Sequence, residues 1–171
     1  MFAMDSRIRI SAAIALSLAS FQTAAQPPLF DGMGRAGVKT AAVEYLFPEQ
    51  VTLPANTPST VTLHFRVAPG LHINSHTPKD SYFIPTEFSI PDGSGVRLEG
   101  ASYPAGADFT LPLDPDTKLS VYSGEFAIQA RMVAAAGNHM VEAKLRYQAC
   151  DNSACMPPKT ITVAMDVVGK Q

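Results

Sequence analysis

Cys150 and Cys155 are the two cysteines of a 171-residue chain, in the run Cys150-Asp-Asn-Ser-Ala-Cys155-Met-Pro-Pro-Lys159. Two thiols with four residues between them admit three chemistries: reversible disulfide exchange, a structural staple, or binding of a soft metal ion. Loop-closure entropy bears on the staple. A ring of about six residues stabilises by roughly 2 kcal/mol, whereas one of about sixty gives roughly 4. A stabilising staple is expected to join distant strands, and strained or exposed small rings are more often the exchanging kind. Cys150, Cys155 and Met156 are also soft ligands suited to Cu(I). A histidine would complete such a site, and the chain has His64, His72, His76 and His139. Nothing in the sequence brings any of them to the cysteines.

Other chemistries lack their residues. The chain has no G-x-S-x-G, no H-E-x-x-H and no Gly-rich phosphate loop. Two cysteines cannot build an all-cysteine zinc site or a disulfide-dense framework. The acidic pair Asp114 and Asp116 reads as solvated turn residues. With 13 basic and 15 acidic groups, the chain lacks the basic field of a nucleic-acid binder.

The elements around the cysteines read as short strands. Val61, Leu63, Phe65 and Val67 alternate with Thr60, Thr62, His64 and Arg66. The same period of two runs through 125–132, 141–149 and 160–167. Weaker strands are expected near 41–47, 71–75, 83–90 and 96–103, punctuated by Pro69-Gly70 and Pro91-Asp92-Gly93. Seven to nine strands and no helical stripe predict one all-β domain over 40–171, an immunoglobulin-like antiparallel sandwich. Residues 104–120 read as a long Pro- and Asp-containing connection, of the kind that often carries function. The cysteines then lie in the hairpin loop between the last two strong strands. By parity Cys150 continues the polar face of 142–148, so it is expected to point away from the core or be covered only by a loop.

The first 25 residues read as an address. Arg7 and Arg9 precede an apolar run from Ile10 to Phe21, and small residues follow in Gln22-Thr-Ala-Ala25. This is a secretory signal pattern, with cleavage expected after Ala25. The apolar run is about 12 residues, short of the ~20 that a membrane helix needs; the alternative is an uncleaved N-terminal anchor. Residues 26–39, rich in Gly and Pro, read as a flexible leader. Removing residues 1–25 leaves 146 residues with 11 basic and 14 acidic groups. The mature form is expected to span no membrane and to work in an oxidising compartment, where a cysteine pair oxidises unless kept reduced.

The stretch Leu145-Arg-Tyr-Gln-Ala-Cys150 through Cys155-Met-Pro-Pro-Lys-Thr160 resembles the active-site hairpin of the N-terminal periplasmic domain of the thiol:disulfide interchange protein DsbD. That family has a Tyr-Gln-x-Cys run leading to Cys-x-Pro-Pro. Weaker matches are Gly70-Leu-His-Ile-Asn-Ser75 with Phe83-Ile-Pro-Thr86, and Val121-Tyr-Ser-Gly-Glu125. Together the resemblance spans roughly 40–168. It implies an immunoglobulin-like sandwich in the periplasm whose Cys150 and Cys155 are the exchanging pair. Cys155 would form mixed disulfides with partners and Cys150 would resolve them. Tyr147, Gln148, Pro157 and Pro158 would shape the surrounding surface. A cap loop within 105–121 would shield the pair, with Phe109, Leu111, Leu113 and Tyr122 as candidates. The resemblance further implies a thioredoxin-like domain or membrane electron transporter as donor, periplasmic thiol–disulfide proteins as clients, and a link to cytochrome c biogenesis. Such a component of protein-disulfide reduction needs no nicotinamide, flavin or metal.

There are two departures. Four residues separate the cysteines here, where the best-known member has five. The membrane and thioredoxin-like parts of the full-length protein have no counterpart in this sequence, so electrons are expected from a separate protein. Arg146 and Lys159 flank the loop and would favour a thiolate, while Asp151 would oppose it. The competing reading is a non-catalytic immunoglobulin-like binding module with a structural disulfide, or a periplasmic Cu(I)-binding accessory protein.

Overall fold

The computed structural model describes residues 41–46, 50–112 and 114–171, with Asp114 known by its backbone alone. The expected signal peptide and leader, and the cap candidate Leu113, lie outside the described residues.

The alternating segments form the strands that their period requires. Strand β1 (Val43–Leu46), β2 (Gln50–Pro54) and β3 (Ser59–Val67) come first, followed by the short β4 (His72–Asn74) and β5 (Glu87–Ser89). Then come β6 (Val96–Ser102), β7 (Ala107–Leu111), β8 (Asp114–Tyr122) and β9 (Glu125–Ala134). The last three are β10 (Gly137–Tyr147), β11 (Ala149–Cys150) and β12 (Lys159–Lys170). Twelve strands among the described residues exceed the seven to nine expected. The surplus includes β2, β11 and the pair β7–β8.

Two four-stranded sheets, in the orders β1-β3-β9-β6 and β2-β12-β10-β5, make an all-β, immunoglobulin-like sandwich. All pairings are antiparallel except β12 with β2. One face of each long strand fills the core. Leu63 and Phe65 of β3 and Ile128 and Met132 of β9 share one buried cluster with Val141 and Leu145 of β10 and Val163 and Met165 of β12. The opposite faces stay wet and carry exposed pairs such as Arg66 with Glu125 at 2.7 Å. Burying the apolar set on one face also fixes register, because a one-residue slip would turn it to water.

A third sheet, β11-β4-β8-β7, carries the cysteines. Three local signals lead the chain into it. Pro69-Gly70 makes a turn closed by Leu71 N–H on the Ala68 carbonyl (3.1 Å), with Gly70 at φ 79°. Pro at the first central position and a left-handed Gly at the second define a type II turn. That turn sends the chain from β3 into β4. Gly124, at φ 62°, makes the corresponding bend from β8 to β9. The chain also leaves β10 at Gln148 and starts β11 against β4 instead of against β5. The connection expected over 104–120 is therefore a hairpin, β7 against β8. Phe109 and Leu111 do alternate with Asp108 and Thr110, but Pro104, Pro112 and Pro115 cut the segment into runs too short to read as strands.

Candidate active site

Cys150 and Cys155 form a disulfide (S–S 2.03 Å) with their Cα atoms 3.9 Å apart. The loop that closes it is built locally. Asp151 N–H donates to the Ala154 carbonyl at 3.0 Å, and the Asp151 carboxylate accepts from the amides of Ser153 (2.7 Å) and Ala154 (2.8 Å). Asp is favoured in such turns because its side chain replaces a backbone acceptor. These two amides hold the Asp151 carboxyl below its usual range. Met156 N–H returns to the Ala149 carbonyl at 2.8 Å. Pro157 and Pro158 have no N–H to donate, and the ladder with β10 begins only at Lys159 opposite Tyr147.

The two sulfurs occupy unlike surroundings. Cys150 is 0% exposed, whereas Cys155 is exposed. The exposure of the polar face of 142–148 therefore does not extend to Cys150. A parity count holds while a strand stays in one sheet, and the switch from β10 to β11 resets it: Ala149 and Cys150 are both buried. Cys150 nevertheless stands apart from the contiguous sandwich core, which runs through Tyr147 and Ala149 without it.

Gln148 ties the switch together. Its Oε1 accepts from Asn74 Nδ2 (3.1 Å) and Ile84 N–H (3.2 Å), and its Nε2 donates to the Met156 carbonyl (3.2 Å). Asn74 N–H donates to the Gln148 carbonyl at 3.2 Å. Thr86 Oγ1 donates to the Asn74 carbonyl at 2.6 Å. The segments Gly70–Ser75 and Phe83–Thr86, far from the cysteines in sequence, are thus the framework around Gln148. Residues 83–86 do this without being a strand; β5 begins at Glu87. Tyr147 is buried and its hydroxyl engages the Val43 backbone, so it supports the site from the core side. Pro157 and Pro158 are exposed beside Cys155.

The β7–β8 hairpin joins β4 edge to edge through β8. The Phe109 ring rests on the His72 ring with centroids 4.3 Å apart. Phe109 and Leu111 are half-buried on the same face of β7. Tyr122 belongs to the core: it is buried, stacks on Phe126 at 4.8 Å, and its hydroxyl donates to the Pro104 carbonyl at 3.0 Å. A Cβ at Gly106 would run into Ser120 Oγ and Ser75, so the base of the hairpin requires glycine. An ion pair from Lys79 to Asp108 (2.7 Å) fastens its outer edge. Between the Gly70–His72 turn, Phe109 and Asn152 is a cleft of about 220 Å³. A larger cleft of about 650 Å³ between 89–98 and Val133–Ala135 holds neither cysteine nor histidine.

The sequence offered no way to bring a histidine to the cysteines; the fold does so with His72. It is the register partner of Cys150 across β4 and β11. It is 4% exposed, and its Nε2 has no hydrogen-bond partner among the described residues. Burial pushes the imidazole below its ordinary pKa, and the nearby Asp151 charge counters part of that. His76 instead stacks on Tyr103 at 3.8 Å, and His139 bonds the Ala135 carbonyl at 3.0 Å. Arg146 lies 3.9 Å from Glu87 across β5. Among the described residues no group of three or more His, Cys, Asp or Glu side chains is placed to hold a metal ion. Among the described residues no helix is long and apolar enough to cross a membrane.

The family described as "Thiol:disulfide interchange protein DsbD, N-terminal" matches residues 42–167. No curated protein matches the chain. Among solved structures, the reduced DsbD N-terminal domain of Neisseria meningitidis is similar at 18% identity and a TM-score of 0.44, covering 68% of this chain and 82% of that one. The N-terminal periplasmic domain of ScsB from Proteus mirabilis is similar at 14% identity and a TM-score of 0.49. That match covers 72% of this chain and 44% of the other, so the chain spans less than half of the ScsB domain's length.

Proposed function

Since the chain belongs to the family of DsbD N-terminal domains, we propose that it performs thiol–disulfide exchange through Cys150 and Cys155, as a periplasmic electron carrier between a thioredoxin-like donor and client proteins. The observation that carries this reading is the asymmetry of the disulfide. An incoming thiolate must approach one sulfur along the S–S axis, and which sulfur it can reach decides the mixed disulfide. Cys155 is open and Cys150 is sealed.

In the reducing half, a donor thiolate attacks Cys155, a donor–Cys155 disulfide forms, and Cys150 leaves. The donor's second thiol then releases Cys155, and the chain holds two thiols. In the delivering half, the Cys155 thiolate attacks a client disulfide and one client sulfur leaves. Cys150 next attacks Cys155, the ring closes and the second client thiol departs. Two electrons pass from chain to client, and no further cofactor enters. Phe109 rests on His72, the strand partner of Cys150; in this reading the hairpin limits reaction with small thiols and oxidants until a docked partner displaces it.

The test is a covalent trap. Cys150→Ala should accumulate a mixed disulfide with a thioredoxin-like domain through Cys155, and Cys155→Ala should not. A disulfide that resists every candidate donor, with no adduct trapped, would support a structural staple instead.

A further inference from the structure

A disulfide that opens at Cys155 leaves a thiolate on Cys150, in a place without solvent. Burial raises a thiol's pKa because the charged form loses hydration. Exchange at this site therefore needs a proton carrier for Cys150. His72 occupies the required place. Directly opposed residues on antiparallel strands point to the same face, with Cβ atoms about 4.5–5.5 Å apart, and Cys150 and His72 are such a pair. Its Nε2 is buried with no hydrogen-bond partner among the described residues. The disulfide form has no S–H to offer it, whereas the dithiol form does.

We propose that His72 is the general base and acid for the Cys150 sulfur. This rests on the exchange reading above. In ring closure, Nε2 takes the proton from the Cys150 thiol. The Cys150 sulfur then bonds to Cys155 Sγ, the bond from Cys155 to the partner breaks, and the partner sulfur leaves with the electron pair. The proton passes from the imidazolium to water. In ring opening the steps reverse: a water-derived proton on His72 neutralises Cys150 as it leaves. Phe109, tilted against the ring with centroids 4.3 Å apart, holds its orientation, and the adjoining cleft, which His72 also lines, is the route by which water exchanges the proton. The charged group facing His72 from the cysteine loop is Asp151. From the hairpin side Phe109 faces it, and the neighbouring Asp108 is paired with Lys79. The cleft beside the ring is lined by Gly70, Leu71, Val121, Ser123 and Asn152, none of which titrates.

The test uses the reduced chain and an aromatic disulfide such as dithionitrobenzoate, which releases a coloured thiolate at each step. The first release reports attack by Cys155; the second reports ring closure by Cys150. His72→Leu and His72→Gln should slow the second release at pH 7 about tenfold or more, since a positioned base contributes at least that much. They should leave the first release within about twofold and flatten the pH profile of the second. A second release within about twofold of wild type, in either folded variant, overturns the proposal. In the unmodified chain, the His72 ring nitrogens followed by NMR should titrate at a different pH in the dithiol and disulfide forms; superimposable curves also overturn it. A wild-type trace with no second release would defeat the exchange reading itself, and this one with it, whereas normal biphasic wild type beside unaffected variants defeats only the role of His72.

Discussion

The Phe109 ring rests on His72 with its plane tilted by 37°, and His72 is the strand partner of Cys150. The β7–β8 hairpin thus touches the strand partner of the buried sulfur. Cys155 is left open to solvent beside Pro157 and Pro158.

Removing the ring should unseal the pair. An aromatic pair contributes about 0.5–1.5 kcal/mol beyond its buried area, so Phe109→Ala should speed reduction of the disulfide by a small phosphine about two- to tenfold. Leu111→Ala, without a ring on His72, should change it by less than about twofold. Stopped-flow reduction kinetics compare the two; equal rates would remove Phe109 as the shield.

The Lys79–Asp108 pair is exposed, so its hold on the hairpin should be weak and salt-dependent. Lys79→Ala should raise the same reduction rate by no more than about fivefold at low salt. The difference from wild type should shrink towards nothing at about 0.5 M salt, where screening shortens the reach of the pair. A salt-independent effect would point to packing by the lysine stem instead.

Gln148→Ala should be the costly surface change of the site. It removes an acceptor shared by Asn74 Nδ2 and Ile84 N–H and a donor to Met156. Leaving a partly buried amide unpaired costs about 1–3 kcal/mol, and denaturant unfolding should show a loss in that range. Gln148→Glu keeps both acceptances and should recover part of it. An alanine variant as stable as wild type would show that the strand switch does not depend on this side chain.

Acid should weaken the fold through His72. Its folded pKa is lowered, chiefly by burial, so the unfolded chain binds the proton more readily. Stability from the neutral ring is complete above the unfolded pKa of about 6.5 and is lost as pH falls through that value towards the folded one. Asp151 is also lowered, by its two amide hydrogen bonds, and so stays ionised through that window, contributing its own loss only at lower pH. The melting temperature of the disulfide form should fall between pH 7 and pH 5, and His72→Leu should reduce that fall. Identical pH slopes would show that the ring gains no proton on unfolding.

The sandwich was written locally. Leu63, Phe65, Ile128, Leu145 and Val163 are all buried where period-two alternation placed them. Each such strand meets the core with one face, and that is a property of neighbouring residues alone. The cysteine loop was also local, since Asp151, the short spacing and Pro157-Pro158 suffice to make a turn that closes before β12. The β7–β8 hairpin escaped the pattern because Pro104, Pro112 and Pro115 break its short alternating runs, while its pairing with β4 is a contact between distant segments. The burial of Cys150 escaped as well, because changing sheets at Gln148 ends the register on which parity depends.

Spacing and loop position left the cysteine pair open to exchange, a staple or soft-metal binding, and the Tyr147-Gln-Ala-Cys150 and Cys155-Met-Pro-Pro158 motifs carried the resemblance to the DsbD N-terminal family. Which sulfur is exposed, which ring rests on His72 and which histidine stands across from Cys150 depend on contacts between segments distant in sequence. Spacing along a chain carries no information about such contacts. They exist only once β4, β8 and β11 pair, and that pairing is decided by the tertiary fold.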